Sequence, residues 1–273
     1  MNMHPPHKRR RLPLKILDYT HDQFVDAFHC RYGKSAHYSS PIYRDVMKYG
    51  ALSVGERGPF ARTPELVGRL KAELVFTTGR LVKTECDDGV IKFVTGLDDG
   101  LTVESVVIPM FNRHTLCVSS QVGCRMGCRF CRTGKMGLIR NLTPSEIVEQ
   151  VFVARHTLGV DIRNVVFMGM GEPLDNLDNV VQAVRVLGDQ RGMDIARRHI
   201  TVSTVGLIDG IERLACFDGG PLNLAVSLNA PDDLVRSRLM PINRIHPMAA
   251  LKHALQRYPL AKKSSLFLEY VLI

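Results

Sequence analysis

Three cysteines, Cys124, Cys128 and Cys131, stand in the run Gly123-Cys124-Arg125-Met126-Gly127-Cys128-Arg129-Phe130-Cys131. Their C-x3-C-x2-C spacing gathers three thiolates around one centre. That is enough for three corners of a [4Fe-4S] cube, and it leaves the fourth iron open to a small molecule. Zinc is the competing reading, but a structural zinc site closes with four ligands, usually as two spaced pairs. The nearest further donors are His114 and Cys117, upstream. A disulfide framework is disfavoured: seven cysteines is an odd count, the chain is far longer than small secreted scaffolds, and no signal peptide precedes them.

Other groups that could do chemistry recur at the ends of apolar runs. Gly169-Met170-Gly171-Glu172-Pro173 combines two glycines, which let backbone approach a ligand, with a carboxylate able to accept hydrogen bonds from an ammonium group. Thr201-Val202-Ser203-Thr204-Val205-Gly206 and Ser227-Leu228-Asn229-Ala230-Pro231 present small hydroxyl and amide groups, which also serve commonly as helix caps. Between Phe111 and Leu142 there are six basic residues, Arg113, Arg125, Arg129, Arg132, Lys135 and Arg140, and no acidic one. Cluster charge and a bound cofactor account for one or two of these. The rest point to a polyanion.

The elements that must position these groups read as an α/β protein. Residues 1–13 form a basic, solvated tail containing Lys8-Arg9-Arg10-Arg11. Residues 14–75 read as a helical accessory domain: a Thr20/Gln23 capping box, a helix opened by Ser40-Pro41, and a helix opened by Thr63-Pro64. Residues 76–112 read as a β connector, with strands at 80–85, 91–95 and 101–108 and Asp-Gly turns at Asp88-Gly89 and Asp99-Gly100. From 113 to 273 strands and helices alternate. Strands are expected at 115–122, 164–168, 200–203, 223–227 and 266–272, with helices after the Thr143-Pro144-Ser145-Glu146 capping box, through Val180 to Gly188, at 207–215 and at 248–257. Alternation of this kind specifies a parallel sheet and a barrel or partial barrel, whose chemistry sits at the C-terminal ends of the strands. The cysteine run follows the first of them.

The composition agrees with a globular chain of 273 residues, 45% hydrophobic, with a formal net charge of +9 that suits a polyanionic partner. No apolar stretch approaches the ~20 residues of a membrane span, so no membrane partner is expected. The thiol-rich centre favours a reducing, cytoplasmic setting.

Taken together, the stretch Thr115 to Cys124, the Gly169-Met170-Gly171-Glu172-Pro173 motif, the Ser-Leu-Asn-Ala-Pro run and Pro241-Ile242-Asn243 resemble the RlmN/Cfr family of radical S-adenosylmethionine (SAM) RNA methyltransferases, over roughly residues 14 to 273. The resemblance implies a partial (β/α)6 radical SAM barrel with an N-terminal helical accessory domain. It implies a [4Fe-4S] cluster on Cys124, Cys128 and Cys131, and SAM contacts from Gly171, Glu172, Ser203, Ser227, Leu228 and Asn229. It further implies Glu104 as proton acceptor and Cys117 as one of two catalytic cysteines. The implied reaction methylates an adenine ring carbon of 23S ribosomal RNA, and in some members of transfer RNA, through a cysteine methyl carrier, with electrons from a flavodoxin-type reductase. Rival readings are a radical SAM enzyme acting on another RNA, and a non-catalytic RNA-binding protein retaining a cluster or zinc.

The chain departs from the family pattern at its end, Leu268-Glu269-Tyr270-Val271-Leu272-Ile273, which falls within the fifth strand. The expectation is therefore a C-terminally truncated chain, without the sixth strand, a SAM-contacting asparagine or the carrier cysteine. Cys30, Cys86 and Cys216 are read as buried or incidental thiols rather than substitutes.

Overall fold

Capping chemistry starts the first and third helices where the sequence places it. In the computed structural model, which describes residues 12–54, 58–77, 79–111, 113–262 and 264–272, Thr20 and Gln23 form a capping box for α1 (His21–Tyr32). The Lys8–Arg11 run lies outside the described residues. Helix α2 (Ala36–Tyr49) opens at Ser35 instead of Ser40-Pro41, and Pro41 lies inside it. The lost Pro41 hydrogen bond is outweighed by burial of Ile42, Tyr43, Val46 and Met47. Helix α3 (Pro64–Glu73) carries its proline in the first turn, as expected. Strands β1 (Leu14–Lys15) and β2 (Leu74–Val75) pair in parallel and close this N-terminal region.

Next come β3 (Arg80–Asp87), β4 (Val90–Gly96) and β5 (Thr102–Met110), antiparallel and joined by the two Asp-Gly turns. They continue directly into the parallel strands β6 (Arg113–Cys117), β9 (Ile162–Phe167), β10 (Ile200–Thr204), β11 (Asn223–Ser227) and β12 (Leu266–Glu269). The result is one eight-stranded sheet ordered β12-β11-β10-β9-β6-β5-β4-β3. Its helices are α5 (Pro144–Phe152), α6 (Leu177–Leu187), α7 (Ile208–Ala215), α8 (Asp233–Leu239) and α9 (Met248–Arg257). The apolar faces of α5, α6, α7 and α9 bury, in turn, Ile147 and Val151, Val180 and Val184, Ile211 and Leu214, and Leu251 and Ala254.

The expected strand 115–122 is two elements. β6 stops at Cys117, and β7 (Gln121–Cys124) turns away to pair with β8 (Gly137–Asn141) in a separate two-stranded sheet, with α4 (Arg132–Met136) between them. The amides of Ser120 and Gln121 both donate to Met170 O, at 2.8 and 3.2 Å, which ends the ladder and swings the cysteine run over the barrel mouth. Among the described residues, no helix is long and apolar enough to cross a membrane.

Candidate cluster and cofactor site

Buried polar contacts fix the segment that carries the cysteines. Gln150, fully buried on α5, accepts from Ser119 N at 2.7 Å and donates to Ser119 O at 2.9 Å. Asn176 donates to Ser120 O and Leu142 O at 2.8 and 2.9 Å. Gly123 adopts φ +77° where β7 meets β8, and a Cβ there would stand 1.9 Å from Gly137 O, so the position demands glycine. A lattice of this sort holds the following loop rigid, as a cluster site requires.

Cys124 and Cys128 are buried and Cys131 half-buried, packed together with Met126, Met240, Val205 and Ile242. All three line a cavity of about 380 Å³ that also receives Gly169, Gly171 and Glu172 from the loop after β9, Ser203 from β10, Ser227 and Asn229 from the end of β11, and Glu269 from β12. Desolvation pushes the Cys124 thiol up to about 11 and the Cys128 thiol up to about 12, and the other cysteines add to it. Closely set buried thiols of this kind are stabilised once iron displaces their protons. Among the described residues the cavity lining brings together three cysteines with no fourth cysteine and no histidine, a donor set that suits a cube, which takes each thiolate on a different iron, better than a closed tetrahedral zinc. The residues present fit a [4Fe-4S] cluster.

Five of the six residues expected to contact SAM share this cavity: Gly171, Glu172, Ser203, Ser227 and Asn229. Leu228 does not line it; its backbone amide donates to Glu269 O at 2.9 Å instead. Gly171 has φ +104°, and a Cβ would meet Gln121 at 2.6 Å. Asn229, at φ +57°, accepts from Val271 N at 2.9 Å.

Glu172 is buried, accepting from Leu174 N at 3.1 Å and Val205 N at 2.9 Å, yet desolvation outweighs these donors and pushes it up to about 7. A carboxyl raised in this way stabilises the fold fully below its unfolded value, and that stabilisation is lost as pH rises through about 7. In the cluster-free protein, Glu172→Gln should therefore abolish a loss of ~3 kcal/mol in wild-type stability between about pH 4.5 and pH 8. Urea titrations at pH 5 and pH 8 check this, and an equal pH slope in both proteins would refute it.

Glu104 and Cys117 stand apart from the cavity lining. Pairing of β5 with β6 sets Val106 opposite Cys117, so Glu104, two residues along, shares the inner face of the sheet with Cys117. The Glu104 carboxylate is half-exposed and pairs with Lys92 Nζ at 2.8 Å. Burial pushes Cys117 up to about 11, and Glu269 adds to the effect. The other three cysteines, Cys30, Cys86 and Cys216, are exposed rather than buried.

The basic run divides. Arg140 is held by Glu146 (2.8 Å) and Asp99 (2.6 Å), and Arg125 pairs with Asp175. Arg129, Arg132 and Lys135 form no ion pair among the described residues. Two functional residues escaped the sequence reading. Arg236 is fully buried and donates to Val205 O, Ser227 O and Leu228 O at 2.7, 3.0 and 3.1 Å, and to Asn243 Oδ1 at 2.8 Å. Glu269 accepts from Ser203 Oγ at 3.0 Å and Ser227 Oγ at 3.3 Å. A lone arginine on a short helix carries no sequence signal of burial.

A three-thiol run at the mouth of a partial parallel barrel, facing a glycine-carboxylate loop, defines a radical SAM protein, and residues 118–269 match the radical SAM superfamily. The chain is 40% identical over 261 residues to "Probable dual-specificity RNA methyltransferase RlmN 1" of Protochlamydia amoebophila, covering 96% of this chain and 73% of that protein. It is 44% identical over 247 residues to "Dual-specificity RNA methyltransferase RlmN" of Geobacter sulfurreducens, covering 88% and 66%. The protein of the same name from Syntrophobacter fumaroxidans is 48% identical over 195 residues, covering 71% of this chain and 56% of its own length. A crystal structure of a radical SAM methyltransferase from Sphaerobacter thermophilus superposes with a TM-score of 0.84 at 37% identity, covering 95% of this chain and 76% of the other. The chain belongs to the RlmN family of the radical SAM superfamily, and spans 56% to 73% of the length of these three relatives.

Proposed function

We propose that the protein is a radical SAM RNA methyltransferase acting on an adenine ring carbon of 23S ribosomal RNA, with transfer RNA as a second substrate class, through a methyl-carrying cysteine. The observation that carries this reading is the shared cavity, in which three thiols, Glu172 and the β10 and β11 loop residues converge. A [4Fe-4S] cluster with SAM bound supplies a 5'-deoxyadenosyl radical, a reactivity that acid-base side chains lack.

The chain's own residues supply the cluster, SAM and proton-transfer parts of this reaction. Cys124, Cys128 and Cys131 hold the cluster. Gly171, Glu172, Ser203, Ser227 and Asn229 would hold SAM, with the Glu172 carboxylate suited to its ammonium group, while Leu228 would support the loop that carries Ser227 and Asn229. Glu104 accepts a proton on the inner face of the sheet, and Cys117 serves as one of the two catalytic cysteines. A flavodoxin-type reductase delivers the electron, and the setting is the cytoplasm, where thiols stay reduced.

Anaerobic reconstitution with iron and sulfide tests this reading: the protein should turn brown and release 5'-deoxyadenosine from SAM under reduction. No chromophore and no cleavage would defeat it. The unpaired cations beside the cysteines supply the second test. Arg129→Gln with Arg132→Gln should weaken RNA binding and lower its salt slope by ~1 to 2, while SAM binding is spared. An unchanged slope would remove these residues from the RNA interface.

A further inference from the structure

Arg113 belongs to the basic run in sequence but not in space. It begins β6, so it lies at the N-terminal end of the parallel strands, opposite the cysteine loop. There Lys48 from α2, Arg163 near the start of β9 and Arg198 just before β10 join it around a cleft of about 1080 Å³. Two carboxylates, Asp161 and Asp194, also line the cleft, and Asp161 is taken by Arg163 at 2.9 Å. Arg155 spends its guanidinium on Met193 O and Ile162 O, both at 2.7 Å. The side chains of Lys48, Arg113 and Arg198 form no ion pair or hydrogen bond among the described residues. Like charges brought together without partners cost stability, so an external anion is the natural complement. The same field registers in His199, whose pKa is held down by burial and then by Arg198, Arg113 and Arg163.

A second observation is independent of charge. Phe111, in the turn joining β5 to β6 two residues before Arg113, is fully exposed at 106%, and its φ of +49° lies in the left-handed region. A bulky side chain rarely adopts that conformation, and here it holds the ring out in solvent instead of against the sheet. Cations that follow a phosphate backbone, beside an aromatic ring open to a base, form the arrangement used to hold unpaired nucleic acid.

We propose that this cleft and Phe111 form a second RNA contact, remote from the cysteine loop, which takes the phosphodiester backbone and stacks one unpaired base of the substrate. The proposal rests on the RNA reading given above. The site grips a distant part of a large RNA while its target nucleotide occupies the barrel mouth.

Fluorescence anisotropy of a labelled hairpin RNA, titrated with the 273-residue chain across a salt series, tests it. Arg113→Gln with Arg198→Gln should lower the slope of log K against log salt by ~1 to 2. Phe111→Ala should weaken binding roughly tenfold at unchanged slope. Both sites are exposed, and melting temperature and SAM binding should stay at wild-type values. If wild type binds RNA and both variants match it, the second contact is overturned while the RNA reading stands. If wild type binds no RNA, both fall. If the charge variant alone weakens binding, and inorganic polyphosphate reproduces the loss, the stacking contact is overturned and the cleft is a plain anion site.

Discussion

Cys124→Ala, Cys128→Ala and Cys131→Ala should each abolish both the iron chromophore and SAM cleavage. The three sulfurs face one cavity, and two of them are buried deeply enough that the remaining thiols stay protonated in the absence of iron. A cube held at two corners loses the geometry that leaves a single iron open, and two buried thiols cannot bind iron strongly enough to repay their deprotonation. The loss should therefore be complete rather than graded, with stability of the iron-free protein changed little, since burial of an apolar thiol is not improved by much on replacement with Ala. Iron content, visible absorption and 5'-deoxyadenosine release, measured on the same anaerobic preparation, decide the point. A variant that keeps cleavage would remove that cysteine from the ligand set.

The second large effect concerns a residue outside the cavity lining. Arg236 joins the loops after β10 and β11 by donating to Val205 O, Ser227 O and Leu228 O, and its charge lies close enough to Cys128 for the two to interact. Arg236→Met fills the space but strands three buried carbonyls, and the expected cost is ~3 to 5 kcal/mol. Arg236→Lys keeps the charge but cannot span the same acceptors, and it should fall between wild type and Met. Denaturant midpoints measure the stability change. SAM affinity of the folded variants should fall as well, because Ser227 and Asn229 lie on the tethered loops. Wild-type stability in Arg236→Met would refute the tethering role.

What was legible in the sequence was what local chemistry dictates. The Thr20 and Thr143 capping boxes, the Asp-Gly hairpins and the alternation after residue 113 all give elements near the expected positions. The cysteine run and most of the strand-end residues meet in one cavity. The split of 115–122 was not legible, because Val118 and Val122 continue an apolar pattern while the ladder is ended by Met170 O, more than forty residues away in the chain. The helix around Pro41 was misjudged because proline usually marks a first turn, and here packing overrides that preference. Neither Glu269 nor Arg236 could be assigned from types and spacing alone, since each acts by bridging separate strands.

One polar contact joins partners that leave the ribosome far apart in time. Asp18, just ahead of α1, accepts from Ser145 N in the first turn of α5 at 2.8 Å, across 127 positions of chain. At ~5 to 20 residues per second, roughly 6 to 25 s separate the emergence of these partners from the ribosome. Ile16 and Leu17, fully buried beside that contact, have no barrel helix to cover them in the interval. The apolar surface of Ile16 and Leu17 thus stays uncovered until α5 arrives, and slower translation through residues 20–145 lengthens its exposure.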